Sequence, residues 1–129
     1  MQTLETWHEI IEHGDPGRLD EVLAEDCVFV SPVVHTPQVG RELTTLYLTG
    51  AFHVLINDSF RYVKEVVSGD HAVLEFVCEV DGIQINGVDI MTFDAQGRIA
   101  EFKVMVRPLK AMNMLHAKMH AMLEELAAV

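Results

Sequence analysis

Apolar residues change their spacing twice along the chain, from helical to alternating and back again. Leu4, Trp7, Ile10 and Ile11 recur at intervals of three and four, which predicts a helix over 3–13. Gly14-Asp15-Pro16 ends it, with Asp15 positioned to cap a second short helix and Pro16 suited to its first position. Leu19, Val22 and Leu23 give that helix an apolar face, and it should end near Ala24-Glu25-Asp26. Cys27-Val28-Phe29-Val30 reads as a short strand, stopped at Ser31-Pro32 because proline cannot donate to a ladder. Residues 33–38 read as a loop. A third helix opens at Gly40-Arg41-Glu42 and buries Leu43, Leu46, Tyr47, Leu48, Phe52 and Leu55, with Gly50 weakening its regularity.

From Asn57 the period becomes two. Residues 60–67 form one predicted strand and Ser68-Gly69-Asp70 a turn. Residues 71–80 form a second strand, and Asp81-Gly82 is a strong hairpin signal. Residues 83–93 return antiparallel, Asp94-Ala95-Gln96-Gly97 turns again, and residues 98–106 make the last strand. Beyond Arg107-Pro108, the residues Leu109, Met112, Leu115, Met119, Leu123 and Leu126 restore helical spacing and predict a terminal helix over 109–127. Three helices with one strand, then a four-stranded meander, then a helix, define an α+β domain. Helices laid on one face of a curved antiparallel sheet form a cone, and its inside is an apolar pocket if side chains leave it open.

Length and charge narrow the functional classes. The 129 residues suit one domain, 1–129. Nine basic against twenty acidic groups give a formal charge of −11, spread along the chain: residues 1–65 hold 4 basic and 11 acidic groups, residues 66–129 hold 5 and 9. Such a surface repels phosphate backbones and anionic bilayers, so neither nucleic acid nor membrane is an expected partner. The N-terminus lacks the pattern of a secretory signal, and the cytoplasm is the expected compartment. Cys27 and Cys78 sit in apolar runs and read as buried free thiols.

The run Gly87-Val88-Asp89-Ile90-Met91-Thr92-Phe93-Asp94-Ala95-Gln96-Gly97-Arg98-Ile99 resembles the matching hairpin of bacterial ketosteroid isomerases. So does residues 24–32 followed by Gly40-Arg41-Glu42, and the same features recur in the SnoaL-like polyketide cyclases of the nuclear transport factor 2-like superfamily. The resemblance covers the chain up to Val106. It implies the cone fold, a cofactor-free site and dimerisation through the sheet face. Those isomerases use a carboxylate base just before a proline, a tyrosine on the first helix and a protonated aspartic acid on the third meander strand. The corresponding positions here are Ser31, Trp7 and Asp89. One of three is retained, which argues against the same reaction by the same machinery: a serine without a partner base is a poor proton abstractor.

Asp89 is thus the leading site residue. Strand parity puts Gly87, Asp89, Met91 and Phe93 on one face. In the isomerase register Phe76, Phe102 and Val104 share the inner side, where a carboxyl should resist ionising. Trp7, Ser31, Tyr47 and Phe52 are candidate lining residues. His35 and His53 are the histidines nearest the expected mouth and candidates for a replacement base. His116 and His120 lie one helical turn apart without a third ligand, and no metal or other cofactor is expected. Glu101, Lys103, Met105 and Arg107, beside Val88 and Ile90, form a mixed outer sheet face suited to a homodimer.

Three functions compete. One is a cofactor-free isomerase, cyclase or hydratase acting on a small apolar carbonyl compound, with Asp89 as hydrogen-bond donor or general acid. Another is a non-catalytic module that binds a small hydrophobic ligand. The third is a dimerisation domain whose pocket is filled by Phe29, Phe52, Phe60 and Phe76.

Overall fold

The computed structural model describes residues 1–127; the last two residues of the expected domain lie outside that range. Helix α1 (Gln2–His13) buries Leu4, Trp7 and Ile10 and closes at Gly14, whose φ of 59° is the left-handed conformation that favours glycine. A single 3₁₀ segment, Pro16–Glu21, follows. Strands β1 (Leu23–Val30) and β2 (Gln38–Val39) precede helix α2 (Arg41–Leu55). The meander is β3 (Arg61–Ser68), β4 (His71–Val80), β5 (Ile83–Phe93) and β6 (Ile99–Arg107), and helix α3 (Leu109–Ala127) ends the described chain. The six strands form one sheet in the order β2-β1-β6-β5-β4-β3, with β1 parallel to β6 and the other pairings antiparallel. Register shifts interrupt the β1–β6, β3–β4 and β5–β6 pairings, and such irregularities bend a sheet into the curve a cone needs.

The meander follows the alternation closely. Asp81 and Gly82 both take positive φ, 52° and 76°, as a tight two-residue hairpin requires. Up to the end of α2 the structure departs from expectation in five places. The second helix is only the 3₁₀ segment, because the run from Val22 joins the sheet: Ile99 N–H donates to Val22 O and Leu23 pairs with Ile99. The side chain of Asp15 makes no capping bond. Gln38 and Val39, expected in or beside a loop, pair with β1. On α2 the stripe facing the core is Thr44, Leu48, Phe52 and Leu55, at spacings of four, four and three. Leu43 and Leu46 fall on the neighbouring stripe and are half-buried. Gly50 does not break α2. It is buried, and a Cβ there would lie 3.2 Å from Met119 Cε, so the missing side chain lets α3 approach.

Candidate functional site

Between the helices and the concave sheet face lies a cavity of about 50 Å³. Trp7 and Ile11 of α1 form part of its wall, with Phe29 of β1 and Pro32. Helix α2 and its C-terminal end add Leu48, Ala51, Phe52, Leu55 and Ile56. The sheet side supplies Phe60, Tyr62, Phe76, Asp89, Phe102 and Val104, and α3 supplies Leu115 and Met119. Two structural details set its shape. Phe76 stacks on Phe60 with centroids 5.1 Å apart, and its ring lies where a Cβ on Gly87 would be, 2.2 Å from Cζ. Trp7 is wedged between Phe102, at 5.0 Å, and Phe52, at 5.9 Å.

Asp89 is the one carboxylate in this wall among the described residues, and it is 6% exposed. Strand β5 alternates so that Gly87, Asp89, Met91 and Phe93 point inward. Tyr62 Oη donates to Asp89 Oδ2 at 2.6 Å, and Trp7 Nε1 donates to Tyr62 Oη at 3.1 Å. Indole can only donate, so Tyr62 accepts from Trp7 and directs its own proton to Asp89. Oδ1 of Asp89 takes no protein donor among the described residues, which leaves that oxygen free to carry the acid's proton.

Burial pushes the Asp89 carboxyl up to about 7, partly opposed by the bond from Tyr62. Tyr62 is pushed well above its ordinary range by burial and by the neighbouring carboxylate. At neutral pH the site therefore holds an acid near the middle of its titration in an apolar, aromatic box. In its neutral form it can donate a hydrogen bond to a carbonyl oxygen or supply a proton.

Of the residues expected at the site, Asp89, Trp7, Phe52, Phe76, Phe102 and Val104 meet at this cavity. Ser31 does not line it. Its Oγ accepts from Val33 N–H at 3.0 Å and Val34 N–H at 3.3 Å, which makes it a turn residue. Tyr47 is outside the wall as well, half-buried and stacked on Phe29 at 5.6 Å. His35 lies exposed in the loop before β2 and His53 exposed on α2, and neither lines the cavity. No replacement base thus stands opposite Asp89 among the described residues. His116 and His120 are exposed on α3, and His120 pairs with Glu124 at 3.1 Å. Among the described residues no three His, Cys, Asp or Glu side chains gather as a metal site.

Tyr62 was not among the expected site residues. Strand alternation alone could have aimed it inward, opposite Phe76, but the register shift just after it blurs that parity.

A helix-backed curved sheet around a buried acid is the architecture of nuclear transport factor 2-like proteins. Residues 4–102 match the SnoaL-like domain, and the chain belongs to that family. It is similar to a steroid delta-isomerase from Pseudomonas aeruginosa, with 35% identity over 99% of this chain and 93% of that one and a TM-score of 0.94. A Silicibacter pomeroyi protein with a cystatin-like fold has 31% identity over 92% of this chain and 83% of its own, at a TM-score of 0.85. A nuclear transport factor 2-like protein from Mesorhizobium loti, with 23% identity over 83% and 89% of the two chains and a TM-score of 0.71, shares the fold. No curated protein matches the chain.

Proposed function

We propose that this protein takes up a small, largely apolar molecule bearing one carbonyl or similar acceptor, and that neutral Asp89 donates the hydrogen bond that orients it. The observation carrying this reading is Asp89 itself. A carboxyl held in an apolar wall, with burial raising its midpoint to about 7 and a single protein donor, is expensive to keep. A core with no ligand to serve gains nothing from it, and perturbed acids cluster at functional sites.

General-acid chemistry, such as assisting a hydration or a cyclisation, is within reach of this arrangement. No second base faces Asp89 to take a proton from carbon while Asp89 donates, because Ser31 is occupied in its turn and His35 and His53 stand away from the cavity. No cofactor enters the reading. The test is a thermal-shift and calorimetric screen of steroids, aromatic ketones and polyketide-like phenols against the wild type and Asp89→Asn. A ligand that stabilises the wild type and binds Asp89→Asn at least about tenfold more weakly supports it; that loss corresponds to ~1.4 kcal/mol, the scale of one hydrogen bond to a polar ligand group. Ligands that bind both proteins equally would remove Asp89 from the role.

A second reading rests on the cavity's size. Ligand pockets are usually about 300–1,000 Å³, and a core filled by Phe29, Phe52, Phe60 and Phe76 would leave little more than the 50 Å³ seen here. On that reading the protein is an interaction domain. Both readings include a homodimer through the outer sheet face. There Val66, 53% exposed, lines up with Val73 and Ile90, and Val88 pairs with Met105, 50% exposed. Sedimentation of wild type and Met105→Glu checks this: a dimer is expected for the first and a monomer for the second.

A further inference from the structure

The cavity is closed on one side by α3, which lies beyond the segment matching the family. Leu115, 3% exposed, and Met119 project from it into the wall. We propose that α3 is a movable stopper: it swings or slides off α2 to admit the ligand, and Met119 gives up space that the ligand then occupies. This rests on the reading of the cavity as a ligand site.

Three observations carry it. First, the cavity of about 50 Å³ is smaller than any molecule of the proposed class, so some part of the wall must move. The concave sheet is tied by hydrogen-bonded ladders, unbroken between β4 and β5, and α1 by the bond from Trp7 to Tyr62, so these are the costly parts to displace.

Second, α3 is held mainly by contacts without direction. Met119 and Leu123 rest in the notch at Gly50, where the missing side chain leaves a smooth track on α2. Among the described residues, the hydrogen bonds and ion pairs joining an α3 side chain to the rest of the protein reduce to one, Lys118 Nζ to Asp81 Oδ2 at 2.8 Å. Both partners are solvent-exposed, so this tie is weak.

Third, the α3 residue nearest Gly50 is a methionine, Met119, whose Cε lies 3.2 Å from where a Cβ there would be. Its flexible, unbranched thioether can leave one packing arrangement and adopt another at small cost, which a β-branched or aromatic plug could not. Ala111, fully buried near the start of the helix, anchors its first turn.

The experiment is stopped-flow binding of prodan, a neutral naphthyl ketone whose emission shifts to the blue in apolar surroundings. Energy transfer from Trp7, the sole tryptophan and part of the cavity wall, provides a second signal. Four proteins are compared: wild type, Asp89→Asn, Lys118→Ala and Met119→Ala. Lys118 does not line the cavity, so its variant tests the tether without altering the site.

If α3 gates entry, the wild-type rate levels off as prodan rises. The plateau then climbs about two- to fivefold in Lys118→Ala, the scale of one exposed ion pair. In Met119→Ala it climbs at least about tenfold as the open population grows. Asp89→Asn should weaken binding and leave the plateau in place. Rates that stay linear in prodan, or a plateau unmoved in Lys118→Ala, would overturn the gate, while loss of affinity in Asp89→Asn keeps the pocket. Absence of any signal from wild type and Met119→Ala alike would overturn the pocket, and the gate with it.

Discussion

Replacing Asp89 with asparagine removes a proton that the fold must either keep or release. The side chain keeps its shape, and its carbonyl oxygen can still accept from Tyr62. Burial moves the carboxyl's midpoint from its ordinary 3.8 to about 7. That corresponds to about 4 kcal/mol, at ~1.4 kcal/mol for each tenfold change in proton affinity. The sign follows from which state holds the proton. Below about pH 4 folded and unfolded chains both carry it, and stability has its full value. Between about pH 4 and 7 the folded chain holds a proton the unfolded chain has released, so stability falls as pH rises. Above about pH 7 both are ionised and the loss is complete.

The asparagine variant has no such titration. Its stability relative to wild type should therefore rise by about 4 kcal/mol between pH 4 and pH 8, while other groups cancel in the difference. Over 129 residues this is about 15 °C in melting temperature. Urea unfolding of both proteins at unit steps of pH, with the denaturant slope checked for constancy, measures it. A difference that stays flat across that range would mean the folded carboxyl titrates as it does in water. One that ran the other way would mean Asp89 is held ionised. Either result removes the neutral donor from the site.

Tyr62→Phe should strand the buried Trp7 N–H and cost about 1–3 kcal/mol by urea unfolding; it should also raise the Asp89 midpoint further, read by carbon-detected NMR of the carboxyl. Gly87→Ala puts a methyl 2.2 Å from Phe76 Cζ and should cost about 1–3 kcal/mol, with Phe76→Leu in the same chain recovering part of the loss; full stability in the single variant would contradict the packing described. Ser31→Ala removes the acceptor for two turn N–H groups and should cost about 1 kcal/mol without changing the affinity of any ligand found in the screen.

The meander was legible because each of its strands has one wet and one dry face, so alternation fixes both type and orientation. Residues 71–80 and 83–93 are strands at the predicted bounds, and Asp81-Gly82 marks the hairpin between them. The segment from Leu19 to Val30 was less legible. Leu19, Val22, Leu23, Ala24 and Cys27 are all buried, a spacing that fits a helix as well as an irregular strand entering the sheet. The pairing of Leu23 with Ile99, 76 positions along the chain, decided between them. A contact that remote leaves no local signature. The same holds for Leu43 and Leu46, since which of two adjacent stripes on α2 faces inward is set by the neighbours of α2.

At the site, the resemblance pointed to Asp89 and Trp7, which both line the cavity, but left out what joins them. Trp7 and Asp89 are 82 positions apart, and Tyr62, from the edge strand, bridges them through two hydrogen bonds. That bridge changes what the site can do. A tyrosine on the first helix could itself have offered a proton to a ligand. Here the indole spends its one N–H on Tyr62, and Tyr62 spends its proton on Asp89. On the proposed reading, the proton left for a ligand is the acid's own, available only while Asp89 is neutral. On that reading the chemistry of the site hangs on one titration, which rises or falls with how well α1, β3 and α3 keep water from that carboxyl.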